Sequence, residues 1–239
     1  QLAIVMLSRE RNKDAVYLLN QSLIALKQSG VTDESIQLAI TKKTFASALI
    51  ADERYADALN IYSELELSLK TYPETARFVD IDTPDRVLAL VRTAQLTSAE
   101  AVARKLLALT EARAGKTSKE ATQAKLLLSV SLAEQRKDDL AQASFAAAFS
   151  ELIEQEREVT ADSDGISSKE KKFLASYVES YLGVLSRAFE KSANPKLASE
   201  AFALGDLARS SNVQRALSAS TARANITDPR LLKLVRQEQ

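Results

Sequence analysis

The sequence contains neither cysteine nor histidine among its 239 residues. Without cysteine the chain can form no disulfide, no thiolate nucleophile and no cysteine-based metal site. Without histidine it lacks the commonest general base, every serine–histidine–aspartate triad and the usual zinc ligand. We therefore expect no catalytic residues, no metal site and no cofactor, and the sequence predicts that this chain is not an enzyme.

Glycine and proline are scarce as well, with only five and four residues. Alanine, leucine, serine and the charged residues dominate instead, which is typical of helix interiors rather than of strands and tight turns. The prediction is an all-α fold whose helices are separated by short polar connectors. The apolar periodicity places these helices at about 1–8, 12–29, 33–50, 54–72, 85–95, 98–113, 118–135, 138–159, 168–191, 195–209, 211–223 and 229–239.

The charges of the chain balance, because 32 basic residues face 32 acidic ones. A protein without net charge has no overall field to steer it to nucleic acid or to an anionic membrane, so we expect neither partner. The apolar run LAIVM at 2–6 is too short to cross a bilayer and is followed by SRERNK. The sequence therefore predicts no membrane span.

A spacing rule recurs along the chain, in which a small residue follows a polar turn and a large residue comes four positions later. A small residue at a helix crossing lets two backbones approach, and the large residue one turn later fills the gap. We expect the preceding helix to supply a partner thirteen residues before each small residue, at Leu2, Phe45, Leu128 and Leu185. The small and large pairs are Ala15 and Leu19, Ala58 and Tyr62, Ala141 and Phe145, and Ala198 and Phe202, with Ala101 in a weaker unit.

This pattern resembles the tetratricopeptide repeat (TPR), and it implies a TPR-like superhelix, or α-solenoid, of antiparallel helix hairpins. The first four small residues are 43, 43 and 40 residues apart, which exceeds the usual TPR length of about 34. Longer helices, as in an expanded TPR subclass, would account for the difference. The alternative is an irregular helical bundle.

The interval between Ala141 and Ala198 is longer, at 57 residues. The excess lies in a polar stretch, EREVTADSDGISSKEKK, which predicts a long exposed loop at about 158–168. We expect a helical repeat domain at 1–209 and a helical connector at 210–239.

Two other patterns have plain structural explanations. AGKTSKE at 114–120 ends like a phosphate-binding loop but lacks its first glycine and a preceding strand, so we expect Gly115 and Thr117 or Ser118 to cap two helices. Glu151, Glu154 and Glu158 share a helix face, which favours a solvated acidic surface over a cation site.

The first helix of each TPR pair lines the concave surface on which such proteins hold peptides. Three of the four units contribute a cation there, which indicates an acidic or C-terminal carboxylate ligand. The alternative is that these are ordinary exposed charges. The polar residues predicted to point into this groove are Lys43, Ser47, Arg86, Gln123, Glu134, Arg187 and Lys191.

The most specific signal lies at 201–239, in AFALGDLARSSNVQRALSASTARANITDPRLLKLVRQEQ. This stretch resembles the junction at which bacterial proteins join a TPR array to a CHAT domain, a caspase-like cysteine protease. The resemblance implies that the repeats recognise a partner or activator and that a His/Cys protease domain follows Gln239. It also favours a bacterial cytoplasmic location, or a periplasmic or secreted one if a signal peptide was removed before Gln1.

The expected function is therefore a protein–protein interaction scaffold. Its partner would be a protein or peptide, or the chain's own C-terminal protease domain. A stand-alone TPR adaptor and a helical module that senses a small ligand remain alternatives. An apolar pocket with convergent polar groups would favour the sensor.

Overall fold

A computed structural model describes residues 2–158 and 168–205, and these residues form helices and connectors without a strand. The predicted helices are confirmed within three residues at each described end. A short helix at Pro73–Ala76 was not predicted. The predicted helices at 211–223 and 229–239 lie outside the described residues, as does most of the stretch that resembles the CHAT junction. The helices are α1 Leu2–Ser8, α2 Asn12–Gln28, α3 Ile36–Ala51, α4 Tyr55–Thr71, α5 Pro73–Ala76, α6 Pro84–Arg92, α7 Leu96–Ala114, α8 Lys119–Glu134, α9 Asp138–Glu158 and α10 Ser168–Ser192, and residues 195–205 are also helical.

The chain divides into two compact units, Gln1–Glu156 and Arg157–Gln239. In the first unit α1 packs on α2, α3 on α4, and α6 on α7, and each second helix packs on the next first helix. The Ser129 hydroxyl donates to the Ser144 hydroxyl at 2.7 Å and joins α8 to α9. Because α6 contacts both α3 and α8 directly, these three helices form a layer that we call the first-helix layer. The predicted boundary after residue 209 lies outside the described residues and stays a prediction.

One turn geometry closes all four hairpins of the first unit. In each turn one residue with a positive φ ends the first helix. The backbone N–H of the residue after it donates to the carbonyl five residues earlier, as Arg11 does to Met6 at 2.9 Å. This is the Schellman helix ending, whose left-handed position is usually glycine. Here the residues at that position are Glu10, Glu53, Ala94 and Arg136, with φ of 58°, 62°, 57° and 60°.

The helix crossings follow these turns at a constant distance. Five residues after each left-handed residue lies an alanine with 0% exposure: Ala15, Ala58, Ala99 and Ala141. The prediction for three of them is confirmed, but the prediction for Ala101 is wrong, because Ala101 is exposed. The repeat lengths are therefore 43, 41 and 42 residues, which is more regular than the side-chain pattern indicated.

Buried residues also lie twelve positions before each of these alanines. At that distance the first helices place Ala3, Ala46, Val87 and Ser129, all of them buried. Of the four partners predicted at thirteen residues, Leu128 and Leu185 are buried, Phe45 is half-buried and Leu2 is 58% exposed. Each hairpin thus buries a small or β-branched side chain on its first helix and an alanine on its second, which favours close packing of the two helices.

In the second unit the predicted pair Ala198 and Phe202 is wrong, because Ala198 is only half-buried and Phe202 is exposed. Leu197 and Leu204 are buried, whereas Phe202 is 76% exposed and does not fill a gap. The hydroxyl of the buried Tyr181 donates a hydrogen bond to Glu200. Burial, and to a lesser extent the Glu200 carboxylate, raises the pKa of Tyr181. Packing between α10 and the helical residues 195–205 therefore has both an apolar and a polar component.

The connectors between hairpins use conventional caps. Gly30, with φ of 79°, follows the end of α2, and the Ser35 side chain accepts from the Leu38 N–H to begin α3. Gly115 ends α7 with φ of 97°, and Ser118 caps α8, so the GKT sequence has the structural role that we expected.

Glu100 joins α7 to the turn between α8 and α9. Its carboxylate accepts hydrogen bonds from Lys137 at 2.7 Å, from Arg104 at 2.8 Å and from Gln135 at 2.9 Å. These bonds, with Lys137 the strongest, lower the pKa of Glu100 from 4.5 to about 2. The folded state therefore favours the charged carboxylate.

The substitution Glu100→Gln tests this contribution to stability. Since the folded pKa is depressed, the stabilisation is complete above about pH 4.5 and is lost as the pH falls towards 2. We expect the substitution to lower the free energy of unfolding by about 1–2 kcal/mol at pH 7 and by nothing measurable near pH 2. Urea unfolding followed by circular dichroism measures it. The control Glu134→Gln, at an exposed residue, should change it by less than about 0.5 kcal/mol at either pH.

Candidate functional site

One face of α3 is exposed near the start of the helix and half-buried further along. Ile36 and Ile40 are 38% and 49% exposed, and Lys43 and Ser47 follow them at spacings that keep all four on one side. We call these four residues the α3 stripe. Two exposed isoleucines on the same helix face form an apolar surface that a partner could bury.

The two consecutive lysines of α3 have different surroundings. Lys42 is 7% exposed, and its Nζ lies 3.3 Å from Asp33 Oδ1 and 3.6 Å from Glu64 Oε2, which holds the α2–α3 connector against α4. Lys43 is half-buried and has no ion pair within the described part of the chain. Only the second of these charges is open to a ligand.

Ser47 lies beside a buried polar network that links α3, α4 and α6. The Tyr62 hydroxyl hydrogen-bonds Thr83 Oγ1 at 3.0 Å and also interacts with Ser47. Burial raises the pKa of Tyr62 to about 12, so that it stays a neutral hydrogen-bonding group. Because Thr83 caps α6, Ser47 is connected to the start of the next first helix.

Arg86 is committed to partners inside the chain. Its guanidinium lies 2.6 Å from Glu66 and 3.2 Å from Asp82, stands 5.7 Å from the Tyr62 ring centroid, and its side chain is 14% exposed. Hydrogen bonds from Lys70 and Arg86 lower the pKa of Glu66, whereas burial raises the pKa of Asp82. The structure thus brings Ser47 and Arg86 together around Tyr62, but it uses Arg86 to join α4 to α6.

Only the two ends of helix α8 carry predicted groove residues that a ligand could contact. Gln123 near the start is half-buried and Glu134 at the end is exposed. Between them, side chains around nearly the whole helix are buried, including Leu126 and Val130 on the line that joins these two predicted residues. The predicted groove surface is therefore not continuous across α8.

Arg187 and Lys191 belong to the second unit, on α10. Arg187 is half-buried and Lys191 is exposed, and each interacts with other groups of the chain. Their predicted role in ligand binding remains a prediction.

Sequence reasoning missed Ile36 and Ile40. The signal was present in IQLAITKK at 36–43, where two apolar residues four apart lead into the lysine pair. That spacing alone does not show exposure, because α3 also carries apolar residues such as Leu38 and Leu49 on its buried sides.

The acidic face predicted on α9 is not a simple solvated surface. Glu151 accepts from Lys125 at 2.7 Å and from Thr122 at 3.0 Å and so ties α9 to α8. Among the residues that the structure describes, no cluster of acidic side chains could hold a metal ion. None of the described helices is both long enough and apolar enough to cross a membrane.

Comparisons with known proteins support the fold. No protein-family model matches the chain, and no curated protein matches it. Two solved structures of a putative kinesin light chain from Podosopora anserina, described as having nearly identical TPR-like repeats, are similar to it, with TM-scores of 0.56 and 0.55. They are 15% and 14% identical to this chain, and each match covers 90% of this chain and 93% of that one. The prediction of an all-α, TPR-like solenoid is confirmed.

Proposed function

We propose that this chain is a protein-interaction scaffold that binds a partner through its first-helix layer. The observation that carries the proposal is the α3 stripe, where two exposed isoleucines lie beside a lysine that has no ion pair among residues 2–158 and 168–205. Stacked hairpins present such a face on a rigid support, so little conformational entropy is lost when a partner binds. The same arrangement contains no acid–base pair suited to catalysis, and binding is the activity that it fits best.

A finer form of the proposal concerns the protein to which the chain belongs. The resemblance at 201–239 supports a regulatory region that precedes a CHAT caspase-like protease in the bacterial cytoplasm. The chain lacks histidine and cysteine, so the catalytic pair would lie beyond Gln239, and the protease domain itself could be a partner. The gene sequence tests this, since a downstream α/β segment with His and Cys supports it and a stop codon directly after Gln239 contradicts it.

Site-specific photo-crosslinking tests the binding surface. A p-benzoylphenylalanine replaces Ile40 in the α3 stripe or, as a control, Tyr17 on α2, a second helix, where the side chain is 64% exposed. We expect the Ile40 variant, irradiated in the cells that make the protein, to give discrete crosslinked products identified by mass spectrometry. The Tyr17 variant should give few, because its photoreactive group lies outside the first-helix layer.

A charge reversal near Ile40, Lys43→Glu, provides the second part of the experiment. Introduced together with the Ile40 crosslinker, it should reduce the yield of the same products, whereas Lys13→Glu on α2 should not. Equal crosslinking from Ile40 and Tyr17, or products that are insensitive to both charge reversals, would contradict binding at the first-helix layer.

A further inference from the structure

The outer side of α1 is exposed at a position that is fully buried in the other first helices. Ala3 is the buried residue of α1, which packs on α2. Val5 lies two residues on, about 200° around the helix, and therefore faces away from α2. Val5 is 43% exposed, and Leu2 on the same side is 58% exposed. At the repeat lengths of 43, 41 and 42 residues the equivalents of Val5 are Ala48, Ala89 and Ser131, each with 0% exposure.

A second helix covers these equivalent positions. Helix α3 packs on both α2 and α4, and α6 packs on both α4 and α7. In α8 the Ser129 hydroxyl bonds to α9, so Ser131 faces the opposite side, where α7 packs. Each of these first helices thus lies between two second helices, whereas α1, among the described helices, packs extensively on α2 alone.

Part of α2 likewise lacks a first helix against it. Because α1 has 7 residues and α2 has 17, α1 reaches only part of the length of α2. Ser22 and Ala25, in the part beyond α1, are exposed. The equivalents of Ser22 in the later second helices are buried, with exposures of 0%, 5% and 0%: Leu65, Leu106 and Ala148. The first hairpin therefore has two uncovered surfaces that its own helices do not fill.

Both uncovered surfaces are free of charge. Helix α1 contains no charged residue, and the charged residues of α2 lie only at its ends, at Lys13, Asp14 and Lys27. Since 27% of the whole chain is charged, this hairpin differs from the rest of the molecule. Pairing about a two-fold axis brings identical groups together, and without charges it meets no electrostatic repulsion. The same surfaces hold no charge that would select a different protein.

We infer that two copies of this chain pair through their first hairpins. In the pair, α1 of one protomer lies between its own α2 and the α2 of its partner, so that Leu2 and Val5 pack on the part of the partner's α2 that α1 leaves uncovered. The small side chains there allow close approach of the helices. Each α1 thereby gains the second neighbour that α3, α6 and α8 already have. This surface is distinct from the α3 stripe, and the pairing and the proposed function can each hold without the other.

Sedimentation of the full 239-residue chain tests the pairing. Between about 1 and 200 μM, we expect the average mass to rise from 26.1 kDa towards twice that value, because few side chains form the contact and such small interfaces are weak. Val5→Asp should raise the dissociation constant of the dimer at least about tenfold, since it places a charge in an apolar contact.

Exposed residues on other surfaces provide the controls. Tyr17, 64% exposed, lies about 200° around α2 from Ala15, and Leu67 on α4 is 69% exposed. Tyr17→Asp and Leu67→Asp should each change the dissociation constant by less than about threefold. Circular dichroism confirms that each variant is folded.

Introduced thiols test which helices meet. Because the chain has no cysteine, Val5→Cys and Ser22→Cys each supply a single thiol, and the two variants carry tags of different size. Mixed and oxidised, they should form the mixed disulfide dimer in much higher yield than Val5→Cys mixed with Ala101→Cys, whose thiol lies on an exposed residue of α7.

Three results would overturn the inference. The first is a monomer at every concentration, and the second is a dimer that is insensitive to Val5→Asp or that crosslinks equally well through Ala101→Cys. The third concerns a different occupant: a p-benzoylphenylalanine in place of Val5, irradiated in cells, should crosslink to a second copy of the chain, and products with another protein alone would assign the outer side of α1 to that protein. None of these results bears on the crosslinks expected from Ile40.

Discussion

Replacing Arg86 with methionine is expected to lower the free energy of unfolding by about 2–3 kcal/mol. The substitution keeps much of the side-chain volume but removes the ion pairs with Glu66 and Asp82 and the contact with the Tyr62 ring. Loss of one partner from a buried pair costs about 3–5 kcal/mol, and we expect less here because the Glu66 side chain is 40% exposed. The cation–π contact adds about 0.5–1 kcal/mol to the loss.

The matched control for this prediction is Lys43→Met on α3. Both cations were predicted from the sequence to line the groove, yet within the described part of the chain only Arg86 forms ion pairs. Lys43→Met should therefore change stability by less than about 0.5 kcal/mol. Urea unfolding followed by circular dichroism, with hydrogen exchange of α4 and α6, measures the difference. If Arg86→Met is as stable as the wild type and reduces crosslinking from Ile40 as strongly as Lys43→Glu, Arg86 is a ligand-binding cation and our structural assignment is wrong.

A double-mutant cycle assigns the energy to the pair itself. Glu66→Gln alone should destabilise by less than Arg86→Met, because Asp82 still neutralises the arginine. The double variant should be more stable than the sum of the two effects predicts, since neither charge then remains without its partner. Strict additivity would mean that the pair with Glu66 contributes no coupling energy and that Arg86 stabilises the fold through Asp82, Tyr62 and packing.

Arg86 and Lys43 illustrate how much of the candidate site could be predicted from the sequence. Helical periodicity depends only on residues close together in the sequence. It was therefore sufficient to predict α3 and α6 and to identify polar residues on them as candidates for ligand binding. An ion pair between Arg86 and Glu66 joins residues twenty positions apart, and it depends on how α6 packs on α4. Exposure of Ile40 likewise depends on which neighbouring helices cover α3, which a one-dimensional pattern does not contain.

The repeat register illustrates a second limit. Helix α7 has alanines at positions 99, 101 and 103, and each can occupy a helix crossing as far as its size is concerned. The side-chain pattern alone could not choose among them, and it favoured the wrong one. In the structure the choice follows from the backbone, because the left-handed residue Ala94 ends α6 five residues before Ala99. That signal is hidden in the sequence because none of the four left-handed positions is glycine.

Glycine at the four left-handed positions is expected to stabilise the protein. The variant Glu10→Gly, Glu53→Gly, Ala94→Gly and Arg136→Gly should raise the free energy of unfolding by about 2–4 kcal/mol, or about 0.5–1 kcal/mol per position. In this conformation a residue with a side chain is strained by about 1–2 kcal/mol, and glycine relieves that strain. The greater freedom of glycine in the unfolded chain offsets part of the gain in stability. None of the four side chains makes a hydrogen bond or ion pair in the described residues, so their removal breaks no polar interaction there.

The control for this prediction is Ala101→Gly in α7. Ala101 is exposed, as Ala94 is, but it lies inside a helix, so glycine there should destabilise by about 1 kcal/mol. The same change at Ala94 should therefore have the opposite sign, and the two single variants compared by urea unfolding isolate the effect of backbone conformation. Because the four turns lie in different hairpins, their contributions should add. Loss of stability in the Ala94→Gly variant would mean that this turn does not hold a left-handed residue, and the register built on Ala99 would then lose its support.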